Sequence, residues 1–149
     1  LWLFTVDFSG HAALAGVTLQ HGLYRCAVAV APVSDLEDMY WTDYRESGQN
    51  KTVKRGLLES LGDRARFAEV SPRRHAAAAD APILLIHGQD DTRVGFKQSA
   101  AMADALKDAH KPYELVALRG EDHFLSRAET RKQMLDAAMR FVIKHNPPD

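Results

Sequence analysis

Ile83-Leu84-Leu85-Ile86-His87-Gly88-Gln89-Asp90-Asp91-Thr92-Arg93-Val94 starts as an unbroken apolar run and passes abruptly into a polar loop. Tyr113 to Leu118, followed by Gly120-Glu121-Asp122-His123, repeats the pattern. Between them, Phe96, Ala100, Ala103 and Leu106 recur at helical spacing. A strand, a helix and a second strand in this order make a right-handed crossover with the strands parallel. Asp91 and His123 then emerge at the same carboxyl edge, where open α/β sheets place their chemistry. A carboxylate that orients an imidazole is two thirds of a hydrolytic triad.

The remaining segments extend the alternation. Residues 1–4 are apolar and read as a first strand, and residues 26–31 as a second, stopped by Pro32. His11 to Gln20 carries small and apolar residues at helical spacing, which predicts a helix packed closely on the sheet. Residues 35–52 are polar and aromatic without a clean period, and read as a long loop with short helical pieces. Val53 to Leu61 is a short amphipathic helix closed by Gly62, residues 76–79 are a short helix or turn, and Arg127 to His145 is a long helix. Such alternation predicts an α/β fold: a mostly parallel sheet of about four strands, in chain order, flanked by helices. The apolar runs suit strands buried on both faces.

Composition narrows the function classes. The 149 residues suit one domain, 1–149, with a real core. A formal net charge of -1 gives no basic excess for nucleic acid or an anionic membrane. No apolar run is long enough to span a bilayer, and no n-region and h-region pattern marks a signal peptide in these residues. The single Cys26 lies in an apolar run and cannot form an internal disulfide, which favours a cytoplasmic setting. The histidines lack metal-ligand spacing, and no cofactor motif occurs. The chain begins at Leu1 rather than Met, so either a start further upstream or a trimmed terminus is expected.

From about Ala12 to Pro147 the chain resembles the C-terminal half of an α/β-hydrolase catalytic domain of the prolyl oligopeptidase family of serine peptidases and esterases. The resemblance rests on residues 12–16 (Ala-Ala-Leu-Ala-Gly), 29–35 (Ala-Val-Ala-Pro-Val-Ser-Asp), Ser71-Pro72, 82–88 (Pro-Ile-Leu-Leu-Ile-His-Gly), 91–94 (Asp-Thr-Arg-Val), Gln98-Ser99 and 120–123 (Gly-Glu-Asp-His). It implies a partial α/β-hydrolase fold, Asp91 rather than Asp90 as the triad carboxylate, and His123 as the triad base. It also implies a Gly-x-Ser-x-Gly-Gly turn before the first helix. The matching stretch here is Thr5-Val6-Asp7-Phe8-Ser9-Gly10, in which only the last glycine agrees.

Asp7 therefore stands at the family's nucleophile position. It is either a non-functional replacement or a carboxylate nucleophile. Ser9 lies two residues late between bulky neighbours, and is either a turn or helix-cap residue or a displaced nucleophile. The Phe8 backbone N–H would be the surviving oxyanion donor, where losing one such donor costs roughly 10²–10³ in rate. Leu36, Met39, Tyr40, Trp41 and Tyr44 fall where the family builds its substrate pocket, with Arg93 and Val94 on the facing loop. The bland alternative is aromatic packing beneath a loop. For Asp91 and His123 the bland alternatives are a turn or cap carboxylate and a solvated imidazole. His87 reads as structural.

The expected activity is acyl-transfer hydrolysis of a peptide or ester, weak or absent because the nucleophile is replaced. The rival is a catalytically silent domain that self-associates. Residues 1–4 would leave an apolar edge that a homodimer or higher oligomer covers.

Overall fold

The computed structural model describes residues 1–6 and 9–148. Four strands form one parallel sheet in chain order: β1 (Leu3–Val6), β2 (Ala27–Val30), β3 (Ile83–Gly88) and β4 (Tyr113–Leu118). The register runs Leu3 to Ala27, Ala27 to Ile83 and Ile83 to Tyr113. The first strand sits two residues later than the sequence alone suggests. Leu1 only lends its carbonyl to Arg25 N, and pairing proper begins at Leu3.

The two-residue period of the strands divides the core. Leu3, Ala27, Ala29, Ile83 and Leu85 face α1 (Gly10–Thr18) and α5 (Lys97–Asp108), meeting Leu14, Val17, Met102 and Leu106. Phe4, Val28, Val30, Leu84 and Ile86 face the opposite way, onto Met134, Ala138, Phe141 and Val142 of α6 (Ala128–His145). Small residues set the approach of α1. A Cβ on Gly16 would stand 3.0 Å from the Tyr24 ring and 3.1 Å from Leu3 Cδ2.

The main departure from the sequence reading is residues 35–52. They hold a helix of 11 residues, α2 (Leu36–Glu46), and the start of α3 (Lys51–Leu61). Periodicity conceals α2 because its aromatic and β-branched residues are weak helix formers. Capping and packing stabilise it instead. Asp35 Oδ1 accepts from Glu37 N and Asp38 N, while its Oδ2 pairs with Arg73 at 3.3 Å and Arg74 at 2.9 Å. Leu36 and Tyr40 then bury against Phe67 of α4 (Phe67–Val70) and Val94, in a third core cluster beneath the carboxyl edge. Asp35 and Asp38, three residues apart, form the helix-start signal in this segment.

Candidate active site

Asp91 and His123 meet at the carboxyl edge. Asp91 lies in the turn after β3, and His123 in the loop between β4 and α6. Asp91 Oδ2 is 2.7 Å from His123 Nδ1, with the Asp91 side chain fully buried and that of His123 only 8% exposed. A carboxylate only accepts, so Nδ1 carries the proton and donates. Asp91 Oδ1 closes an Asx turn, accepting from Arg93 N at 2.8 Å and Val94 N at 2.9 Å. Asp91 is thus a turn-former and the partner of His123 at once. Asp90 is exposed and donates its backbone N–H to Glu121 O.

Two buried groups hold the loops. Gly88 ends β3 where the His123 loop crosses it, so close that a Cβ would stand 2.4 Å from Glu121 O. Glu121 is completely buried and acts as a clamp. Its carboxylate accepts from Asp122 N, from Arg127 N and from the Thr130 hydroxyl, tying the loop to the start of α6. His87 is also fully buried, with Nδ1 2.7 Å from Ser99 Oγ and Nε2 2.7 Å from Val94 O. Its Nε2 also lies 3.2 Å from Asp91 Oδ2.

A cleft of about 530 Å³ opens beside His123, lined by Met39, Asp43, Glu46, Thr92, Arg93, Val94 and Phe124. Burial pushes the Asp43 carboxyl above the ordinary range, and the Glu46 charge adds to it. Of the residues read as pocket, Met39, Arg93 and Val94 do line the cleft. Leu36 and Tyr40 do not: both are buried in the third cluster, where Tyr40 meets Phe67 and stacks on Tyr44. Trp41 is a further correction. The helical turn carries it to another face, where its Nε1–H donates to Glu37 and Arg64 covers its ring. Asp43, Glu46 and Phe124 are additions. Residues 39, 43 and 46 share one helical face, but that signal appears only once α2 is recognised as a helix.

Ser9 is exposed, at the N-cap position of α1, and its hydroxyl donates to Val6 O while accepting no N–H from the helix. Asp7 and the Phe8 oxyanion donor lie outside the described residues. Among the described residues, no cluster of histidine, cysteine, aspartate or glutamate could hold a metal ion. Likewise, no described helix is long and apolar enough to cross a membrane.

Burial lowers the pKa of both His87 and His11, with hydrogen bonds to Val94 and Val33 opposing it in part. A histidine lowered in the folded state leaves the unfolded chain holding more protons below its ordinary value of 6.5. This stability is therefore present above that value and lost as pH falls through it and toward the folded-state pKa. Urea midpoints are expected to drop between about pH 7.5 and 5.5, each site having a limiting slope of about 1.4 kcal/mol per pH unit. His87→Gln should flatten the profile.

The parallel sheet with its flanking helices defines an α/β-hydrolase fold. Residues 9–147 match the prolyl oligopeptidase family, and the chain belongs to that family. It is 30% identical to human prolyl endopeptidase FAP over 124 residues, which is 83% of this chain and 16% of that protein. It is 34% identical to pig dipeptidyl peptidase 4 over 117 residues, 78% of this chain and 14% of that protein. A puromycin-hydrolyzing peptidase of Mycobacterium tuberculosis superposes with a TM-score of 0.86 at 27% identity, over 97% of this chain and 22% of that one. The chain thus spans less than a quarter of the length of each of these relatives.

Proposed function

We propose that residues 1–149 form the C-terminal part of a serine-peptidase or esterase domain and serve acyl-transfer hydrolysis. His123 is the general base and Asp91 orients it, while the cleft of Met39, Asp43, Glu46, Arg93, Val94 and Phe124 receives part of a peptide or ester. The observation that carries this reading is the 2.7 Å contact of Asp91 Oδ2 with His123 Nδ1 at the mouth of that cleft. Nucleophilic attack falls to Ser9, to Asp7 or to water activated by His123. A complete site keeps roughly 10³–10⁴ over water after loss of one triad member, which sets an upper bound for a site without the family's serine. One buried cysteine suits a reducing, cytoplasmic setting.

A second reading, a silent and self-associating domain, draws on the N-terminal edge. β1 ends the sheet, and Leu1, Trp2 and Val6 are exposed along it. Such an edge is a template for pairing with a second copy.

Turnover of an activated ester, with light scattering on the same sample, separates the two readings. We expect slow hydrolysis that is lost in His123→Ala; its survival in both Ser9→Ala and Asp7→Ala would assign the attack to water. Stoichiometric labelling of Ser9 by a fluorophosphonate would instead make Ser9 the nucleophile. A dimer with no turnover that depends on His123 would favour the silent reading.

A further inference from the structure

We infer that His87 is a positioning residue for His123, acting through Asp91; the inference rests on the dyad proposed above. The neighbours of His87 define its tautomer. Val94 O can only accept, so the His87 nitrogen 2.7 Å away, Nε2, carries the proton. Burial disfavours a second proton, so Nδ1 accepts from the Ser99 hydroxyl at 2.7 Å. Val94 O therefore selects the tautomer, and the Ser99 hydroxyl on α5 adapts to it by donating to Nδ1. The Phe96 ring, with centroids 5.8 Å apart and planes at 76°, meets the imidazole edge-on.

The same Nε2, its N–H bonded to Val94 O, also lies 3.2 Å from Asp91 Oδ2, the oxygen that faces His123, so its positive edge faces that oxygen. Arg93 N and Val94 N anchor the other oxygen, Oδ1, from within the turn. His123 arrives on a separate loop, so His87 is the contact from the β3–α5 unit that fixes the direction of Oδ2. The charged groups that act on His87 are Asp91, 3.2 Å from its Nε2, and His123. The His87 ring thus joins α5 and the end of β3, and reaches the loop of His123 only through Asp91. Residues that support a ligand in this way fix its orientation as firmly as direct contacts do.

Ring-nitrogen NMR on the whole chain tests this without any turnover. In the wild type, His87 should appear as the Nε2–H tautomer, and His123 should show a downfield Nδ1 proton bonded to Asp91. In His87→Leu that proton should move upfield and exchange faster with water. His87→Gln should restore it, because its amide N–H can reach the same oxygens. A packing role alone would leave the His123 signal in place. An unmoved or downfield-shifted His123 proton in folded His87→Leu overturns the inference, as does failure of His87→Gln to rescue. An Nδ1–H tautomer of His87 in the wild type overturns it too, and that reading stands even if His87→Leu fails to fold. A His123 proton indifferent to Asp91→Asn overturns the dyad and this inference together. One that responds to Asp91→Asn but not to His87→Leu overturns this inference alone.

Discussion

Asp91→Asn is expected to cost about 3 kcal/mol of stability and to reduce ester turnover to background. The wild-type carboxylate is buried: Arg93 N and Val94 N donate to one oxygen and His123 Nδ1 to the other, with His87 Nε2 3.2 Å from that second oxygen. Asparagine offers a single accepting oxygen, and its amide group points N–H bonds at N–H bonds. If the oxygen stays in the Asx turn, the amide faces both imidazoles. If it flips, the turn opens. Either way a buried donor is stranded, and His123 loses the acceptor that holds its Nδ1 proton. In a complete triad the same change lowers kcat about 10⁴-fold, so little remains of turnover that is already slow. Urea denaturation and ester hydrolysis on one preparation check both halves. A variant with wild-type stability and turnover would remove Asp91 from the proposed site.

Gly88→Ala is expected to be comparably damaging without touching a proposed reacting group. The new Cβ would meet backbone, not a flexible side chain: Glu121 O at 2.4 Å, Asp122 O at 2.8 Å and Glu121 C at 2.9 Å. Neither β3 nor the His123 loop yields easily, because the loop is pinned by the buried Glu121 carboxylate and by Asp90 N bonding to Glu121 O at 3.0 Å. Overpacking of this kind costs typically about 1–3 kcal/mol, occasionally more, and backbone contact puts this position at the upper end. In a domain of this size that lowers the melting temperature by roughly 10 °C. The displaced loop should also carry His123 away from Asp91, so ester turnover falls with stability. Gly56→Ala is the control. It lies inside α3 with nothing within 4 Å of its added methyl, so it should stabilise by about 0.5–1 kcal/mol. Calorimetry of the two alanine variants should move the melting point in opposite directions.

The sheet and the pairing of Asp91 with His123 were legible in the sequence for local reasons. Residues 83–88 and 113–118 are strand-length segments bounded by turn residues, with one helical period between them, and crossover handedness then allows a single arrangement. That arrangement places the ends of β3 and β4 side by side, whatever the side chains do further along. The register of β1 was less legible, because its apolar residues begin before its pairing does and no turn residue marks the true start.

Other features depended on partners distant in the chain. Helix α2 exists because Asp35 caps it, Arg73 and Arg74 neutralise that cap, and Phe67 covers Tyr40, none of which leaves a period in residues 36–46. Once formed, it turns Met39, Asp43 and Glu46 into the cleft and buries Leu36 and Tyr40. His87 looks structural in isolation, and only the fold brings Ser99, Val94 and Asp91 around its ring. The sequence by itself determined which strands align and that a carboxylate and an imidazole reach the common edge, since period and chain order are local properties. The tertiary structure alone decided which side chains wall the cleft and which buried donors surround Asp91, since both depend on contacts between segments that only packing brings together.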